Sequence, residues 1–114
     1  MANTTKVTGN FIEVLLDGTT AWTLAGDVPS VASRALAEGV SVRAITVAIH
    51  SDNDEVIIRN SKTSVQTAAA IIKCKGAADN DLFQWYFGEG RLMWMCMHET
   101  DIVGTPTVLI ELGY

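Results

Sequence analysis

Residues 82–97 read LFQWYFGEGRLMWMCM, and this stretch decides how the chain folds. Large apolar side chains occupy both of the alternating faces that the stretch would present as a β-strand. It is too short to cross a membrane, which takes about 18 consecutive apolar residues. The pattern therefore predicts strand structure covered on both faces, either between layers of its own fold or between one subunit and the next.

A hairpin is the expected form of this stretch. Gly88, Glu89 and Gly90 would form the tip, because glycine adopts the backbone angles that a tight turn requires. Trp85 and Trp94 would then lie on opposite arms as a cross-strand aromatic pair. After the tip, the period of two separates two groups of side chains: Leu92, Trp94, Cys96 and His98 on one face, and Met93, Met95 and Met97 on the other.

The rest of the chain is divided at short intervals by Gly, Asp and Asn, and the segments between are rich in Val, Ile, Thr and aromatic residues. This is typical of many short strands. We predict one all-β domain over residues 1–114, an antiparallel β-sandwich or jelly roll of about eight strands. The predicted strands cover residues 7–16, 21–24, 40–49, 55–59, 64–74, 82–87, 92–98 and 105–112, and Asp17 and Gly18 turn the first into the second.

Two of these strands show the alternation most clearly. In residues 40–49, Ile45, Val47 and Ile49 share one face. In residues 7–16, both faces carry apolar side chains: Phe11, Glu13 and Leu15 on one, and Ile12, Val14 and Leu16 on the other.

Residues 29–38 depart from the strand pattern. Pro29 can begin a helix, the apolar residues after it follow helical spacing, and Gly39 would end it. One short helix and an irregular loop both fit this segment.

The composition indicates a surface shared with neighbours. The chain has 114 residues and a mass of 12.3 kDa, enough for a single core. Charged residues make up 18%, below the roughly 25% of an average soluble domain, whereas the hydrophobic share of 48% is ordinary. We infer that copies of the chain or a larger assembly cover part of its exterior.

Charge and targeting signals restrict the expected partners. The net charge is −5 and Lys and Arg form no cluster, so nucleic acid is not expected to bind. The N-terminus has no basic-then-apolar pattern and no apolar run is long enough for a span, so we expect no membrane partner and synthesis in a cytosol. Cys74 and Cys96 are too few for a disulfide scaffold and are expected to lie reduced in the core.

The strongest metal-site hypothesis combines four residues. Cys96 and His98 are two apart on a predicted strand and would point the same way, and His50 and Cys74 would complete a set of four ligands. No Cys-x-x-Cys spacing supports this set, so a core cysteine beside a rim histidine is the favoured interpretation. We expect neither a metal nor another cofactor.

Two acidic turns are further candidates for a cation site. Residues 52–55 resemble a fragment of a calcium loop but lack its following glycine and distal glutamate, so a solvated turn is favoured. Residues 79–81 have the same interpretation. A weak cation site between the two turns would require both to lie at the same end of the fold.

No motif for catalysis is present. The sequence has no Gly-x-Ser-x-Gly, no phosphate loop and no Gly-x-Gly-x-x-Gly, so no catalytic residue is predicted and the protein is not expected to be an enzyme. Aromatic residues would instead allow a sugar-stacking platform, although core or interface packing is favoured. The candidates for such a platform are Trp22, Trp85, Trp94, Tyr86 and Tyr114.

The order of parts over residues 40–114 runs from the strand at 40–49 and its partner at 55–59 to a last strand, TVLIELGY, at 107–114. This layout resembles small structural proteins of tailed bacteriophage virions. The resemblance implies a β-sandwich or jelly-roll subunit that decorates or cements a capsid, or forms part of the head or tail apparatus, without enzyme activity.

The first functional hypothesis is therefore a non-enzymatic virion structural protein, assembled in the host cytoplasm, that forms a homo-oligomer such as a trimer or ring. Its partners would be itself and other virion proteins such as a major capsid protein. Replacing Met95 with Asp would then give a soluble monomer. The expected interface residues are Trp85, Phe87, Leu92, Met93, Trp94, Met95 and Met97.

The alternative hypothesis is a carbohydrate- or ligand-binding β-sandwich module. Its tryptophans would face a groove, and glycans would quench their fluorescence unless Trp22 were replaced by Ala.

Overall fold

The computed structural model describes residues 3–17 and 19–113, and it confirms the predicted all-β sandwich. Two five-stranded antiparallel sheets pack face to face. The strands are β1 (Thr4–Thr8), β2 (Phe11–Leu15), β3 (Trp22–Thr23), β4 (Val40–Ile49), β5 (Glu55–Arg59), β6 (Ala70–Lys75), β7 (Asp81–Met93), β8 (Cys96–Met97), β9 (Ile102–Val103) and β10 (Thr107–Leu112). The helices are α1 (Leu24–Asp27), α2 (Pro29–Ala32) and a 3-10 turn at Glu99–Asp101.

Strand order defines the two sheets. Sheet A has the order β1-β2-β10-β4-β7, and sheet B has the order β3-β8-β5-β6, with β9 paired to β5. The last strand, β10, lies in the middle of sheet A between β2 and β4. Pro106 precedes it, so the proline interrupts no ladder hydrogen bond within the strand.

The core lies between the sheets and is built by the period-two alternation. Ile45, Val47 and Ile49 of β4 share one face, as predicted, and that face is buried. Val108 and Ile110 of β10 pair in register with Val47 and Ile45. Burying a side chain of this size contributes roughly 1.5–3 kcal/mol. The largest fully buried side chains are Trp22, Ile12, Leu24, Ile45, Ile49, Ile58, Ile72, Met93, Met95, Met97, Ile110 and Leu112.

The expected hairpin in residues 82–98 is wrong. β7 continues through Gly88 and Gly90 as one strand of 13 residues paired with β4. Tyr86 pairs with Ala44 and Arg91 pairs with Val42, so the residues between them form a bulge. The positive φ angles of Gly88 (68°) and Gly90 (138°) suit a bulge as well as a turn, and β4 is long enough to pair with both halves of β7.

The methionines after β7 lie inside the molecule. The chain leaves sheet A at Met93 and enters sheet B at Cys96, and Met93, Met95 and Met97 are fully buried in the core. The expectation that these three form an exposed contact row is therefore wrong. The pairing of Trp85 with Trp94 also fails, because Trp85 stacks on Phe83 of its own strand instead.

Two further features differ from the prediction, and one lies outside the part of the chain that the structure describes. Residues 4–15 form a hairpin of two strands, so β2 pairs with β1 and β10 rather than with β3. The predicted turn at Gly18 lies outside the described residues. The strand expected at residues 64–74 begins only at Ala70.

Two single-turn helices replace the one predicted near residues 29–38. Thr23 caps α1, because its Oγ1 accepts from Gly26 N (3.1 Å) and its own N–H donates to Asp27 Oδ2 (2.8 Å). Pro29 begins α2, which ends at Ala32. No helix among the described residues is long and apolar enough to span a membrane.

We expect Met95→Asp to unfold the protein. The substitution removes a buried side chain and places a carboxyl group in the core, at a cost of about 5 kcal/mol or more, which is comparable with the total stability of a small domain. Circular dichroism and urea denaturation measure the effect. Leu36→Asp is the matched control, because Leu36 is 63% exposed and its replacement should change stability by less than about 0.5 kcal/mol. A folded Met95→Asp protein with an unchanged urea midpoint would contradict this burial.

Candidate interaction surface

The outer face of sheet A presents exposed apolar side chains among polar ones, and nothing in the described part of the chain covers it. Phe11 and Leu15 of β2 are 44% and 45% exposed, and Leu82 and Tyr86 of β7 are 68% and 75% exposed. These side chains alternate along their strands with residues that face the core. The outer face carries Thr4, Lys6, Thr8, Phe11, Glu13, Leu15, Arg43, Ala44, Thr46, Ala48, Leu82, Gln84, Tyr86, Thr107, Leu109 and Glu111.

The strand register arranges these side chains in rows across the sheet. One row crosses β2, β10, β4 and β7 as Leu15, Thr107, Ala48 and Leu82. A second row crosses the same strands as Phe11, Glu111, Ala44 and Tyr86. Directly opposed residues on neighbouring strands lie about 5 Å apart at Cβ, so each row forms a continuous strip.

Charges on this face are few and of both signs. Lys6 is in register with Glu13, and Arg43 Nε lies 3.7 Å from Glu111 Oε2. Both members of the Arg43–Glu111 pair are partly exposed, so the pair contributes less than about 1 kcal/mol. The face is therefore electrically balanced and suits an apolar partner with a mixed polar margin.

A shallow depression of about 290 Å³ lies on the β1 side of this face. Its lining combines two apolar side chains with charged and hydroxyl groups: Lys6, Thr8, Phe11, Glu13 and Leu109. It is an open hollow and does not enter the core.

The predicted aromatic platform is not assembled. Trp22 is fully buried, and its Nε1 donates to Thr5 Oγ1 (3.0 Å). Trp94 is buried, its Nε1 donates to Ala37 O (3.2 Å), and Lys62 Nζ lies 4.7 Å from the ring centroid. Trp85 and Tyr86 are partly accessible, on opposite faces of β7, and Tyr114 lies outside the described residues.

The proposed metal ligands occupy different surroundings. Cys96 Sγ lies 3.8 Å from Val65 O, His98 Nδ1 lies 2.8 Å from Thr100 Oγ1, and His50 Nε2 lies 2.9 Å from Thr107 Oγ1. Cys74 is buried on β6, and burial, with the Asp81 charge, raises the pKa of its thiol to about 11. In residues 3–17 and 19–113, no group of three or more His, Cys, Asp or Glu side chains could hold a metal ion.

The two acidic turns do lie at the same end of the fold, where Asp79 Oδ1 accepts from Asp52 N (3.0 Å). Asp54 points inward and is almost fully buried. Its carboxylate accepts from the backbone N–H groups of His50, Ser51 and Thr105 at 2.9–3.2 Å. The arrangement therefore joins the β4–β5 turn to the start of β10, which is a structural role.

A buried ion pair fastens sheet B to the 3-10 turn. Arg59 Nε donates to Asp101 Oδ2 (2.9 Å), and Arg59 Nη1 donates to Ala68 O (3.0 Å). Gln66 Nε2 donates to Asp101 Oδ1 (3.3 Å). Burial by itself raises the pKa of Asp101, but the hydrogen bonds from Arg59 and Gln66 and the Arg59 charge outweigh it and hold the pKa below its usual value.

We expect Asp101→Asn to destabilise the protein in a pH-dependent way. Because the folded-state pKa of Asp101 is lowered, its stabilising effect is complete above the unfolded pKa of about 3.9 and is lost as the pH falls through the folded value. At pH 7 the substitution should cost about 3 kcal/mol, since it leaves the Arg59 charge buried without a counterion.

Urea denaturation at pH 7, 5, 3 and 2 measures this difference, which should shrink at the lowest pH. Glu111→Gln is the matched control, because it breaks the exposed pair with Arg43 and should cost less than about 1 kcal/mol. A cost that does not change with pH would show that the Asp101 charge is not what stabilises the turn.

The structure separates the seven expected interface residues into two groups. Met93, Trp94, Met95 and Met97 are buried in the chain's own core, whereas Trp85 and Phe87 are half-buried and Leu92 is 38% exposed. An interface at Trp85, Phe87 and Leu92 stays a prediction. Sequence reasoning missed the outer face of sheet A, although Phe11 and Leu15, opposite the equally apolar Ile12 and Val14, carried its signal.

Comparisons with known proteins found no matching family model, no matching curated protein and no matching solved structure.

Proposed function

We propose that this chain is a non-enzymatic structural protein that assembles with copies of itself through the outer face of sheet A. In this proposal the assembled copies form part of a tailed-bacteriophage virion, as a capsid decoration or cement or another head or tail component. No cofactor takes part, and the other partners are virion proteins such as a major capsid protein.

The observation that supports assembly is the exposure of Phe11, Leu15, Leu82 and Tyr86 on one flat sheet face. Several large exposed apolar side chains on one sheet face favour a contact surface, and aromatic residues are enriched where subunits meet. Lys6, Glu13, Arg43 and Glu111 supply the polar groups that accompany such contacts. The low charged share of the whole chain, 18%, agrees with this.

The virion assignment rests on the layout resemblance over residues 40–114. The resemblance also implies a two-sheet sandwich, and the structure has that architecture. Synthesis and assembly in the host cytoplasm fit the two free cysteines, Cys74 and Cys96, both of which are buried.

We expect the double substitution Phe11→Ser and Leu15→Ser to abolish assembly through the outer face of sheet A while leaving the fold of the purified protein intact. Phe11 and Leu15 are 44% and 45% exposed and lie on the outer face, so their replacement removes contact area with a neighbour and leaves the core between the sheets intact. Sedimentation velocity at rising concentration and electron microscopy of the products measure assembly, and thermal denaturation verifies folding.

Val103→Ser is the matched control, because Val103 is 46% exposed but lies on β9 in sheet B. It should assemble like the unaltered protein. Equal assembly of the double variant and the unaltered protein would rule out the outer face as the contact surface.

Carbohydrate binding is the second candidate function, and the depression lined by Phe11, Lys6 and Glu13 favours it. An aromatic ring beside charged groups is an arrangement that can stack on a sugar and bond its hydroxyls. The platform would then be built on Phe11 rather than on the buried Trp22.

Isothermal titration with a panel of glycans tests this second candidate. Saturable heat that disappears in Phe11→Ala and persists in Leu36→Ala would favour a binding module. Absence of heat with every glycan would leave the assembly role as the better proposal.

A further inference from the structure

The edges of the two sheets differ in a way that singles out β7. β1 and β6 have five and six residues and carry lysine, at Lys6 and at Lys73 and Lys75. β3 has only two residues. Short edge strands and lysine side chains are two features that prevent other chains from pairing with an exposed sheet edge.

β7 is neither short nor lysine-bearing, and only its second half is protected, by the bulge at Gly88 and Gly90 and by the charges of Glu89 and Arg91. It is 13 residues long, contains no lysine or proline, and ends sheet A with no further described strand beside it. Its first half is apolar on both faces, with Leu82 and Tyr86 outward and Phe83, Trp85 and Phe87 half-buried on the core side. An edge of this length and composition exposes backbone N–H and C=O groups to pairing with another strand.

We infer that two copies of the chain pair antiparallel through the edges of β7, which joins their five-stranded sheets into one sheet of ten strands. This inference rests on the proposed function, because it identifies the first contact by which the copies assemble. The outer faces of the two sheets become one surface, and Leu82 and Tyr86 lie at its centre.

The regular part of β7 determines the register. Asn80 has a φ of 60° and Gly88 a φ of 68°, so the segment that can pair without interruption is residues 81–87. Its central residue is Gln84, which therefore lies on the twofold axis. Seven opposed residues provide about six to eight backbone hydrogen bonds.

This register places apolar residues opposite each other at two of its three off-axis pairs, and the third, at the end of the ladder, places Asp81 opposite the partner's Phe87. Leu82 lies opposite Tyr86 of the partner subunit, and Phe83 lies opposite the partner's Trp85. Gln84 lies opposite the partner's Gln84. Its Nε2 donates to Thr46 Oγ1 within its own sheet (3.1 Å), which leaves the second N–H and the carbonyl oxygen of each amide for the other. Pairing across the axis thus places apolar side chains together and satisfies the one polar pair at the centre.

Shifting the axis by one residue is less favourable in either direction. With Trp85 on the axis, Asp81 would lie opposite the partner's Glu89, which places like charges together and extends the ladder into the bulge. With Phe83 on the axis, only five regular residues of β7 would pair, because Asn80 ends the segment.

Placing a positive or a negative charge at Gln84 tests the inference. Gln84 is exposed on the outer face, so its replacement leaves the core intact. Gln84→Lys and Gln84→Glu each place two like charges across the axis and should raise the dimer dissociation constant by about tenfold or more. An equimolar mixture of the two variants should recover a dimer that contains one chain of each, because opposite charges then face each other.

Sedimentation velocity and native mass spectrometry measure the dimers, and Ala70→Lys is the matched control. Ala70 is exposed on β6, so this variant adds the same charge to a lysine-bearing edge and should dimerise normally. Trp85 gives an independent signal, because Trp22 and Trp94 are buried. Dilution of the unaltered protein should shift its emission to longer wavelength, and Trp85→Phe should lose that shift.

Two results would overturn the inference: an unaltered protein that stays monomeric at all concentrations, or a dimer that persists in both Gln84 variants. A monomeric unaltered protein would overturn the proposed function as well. A dimer that persists in both Gln84 variants would overturn the edge pairing alone, because Phe11 and Leu15 lie on β2 in the interior of sheet A. Loss of assembly in the Phe11 and Leu15 double variant, together with a dimer that both Gln84 variants retain, would reject the edge pairing and keep the proposed function.

Discussion

The rest of the structure depends on the burial of the chain where it passes from sheet A to sheet B. Met93 is the last residue of β7 in sheet A, and Met97 lies in β8 of sheet B. Between them, the carbonyl oxygen of Met95 accepts a hydrogen bond from Leu24 N (3.0 Å). Trp94 fixes the position of the same crossing, because its backbone N–H donates to Asn60 Oδ1 (2.9 Å). Gly39 is required opposite this corner, because a Cβ there would overlap the Met93 carbonyl. One short segment thereby holds both sheets and two loops in place.

Because the methionines are buried, copies of the chain have to assemble through other surfaces. A sandwich of two sheets has two outer faces and four edges, and only the inner faces are covered by the fold itself. In this protein the uncovered apolar side chains concentrate on sheet A, in β2 and above all in β7. The outer face of sheet A offers contact area, and the β7 edge offers backbone hydrogen bonds. One assembly can therefore use both surfaces.

The few buried charges stabilise loops. Asp54 is held by backbone N–H groups of two loops, and Asp101 is held by Arg59 and Gln66. Each carboxylate compensates for its burial with several hydrogen bonds, as an ionised group in a low-dielectric interior requires.

The sequence by itself determined the fold class, the strands β4 and β5, and the inward set Ile45, Val47 and Ile49, because a period of two is a local property of the chain. Only the tertiary structure decided that Gly88 and Gly90 form a bulge rather than a turn, since glycine permits both and the length of the neighbouring strand β4 selects between them. It likewise decided which apolar residues are covered: Met95 and Tyr86 belong to the same two-sided pattern, yet one is fully buried and the other 75% exposed. Strand order makes that difference, because a residue's partners across the sheets depend on contacts distant in sequence.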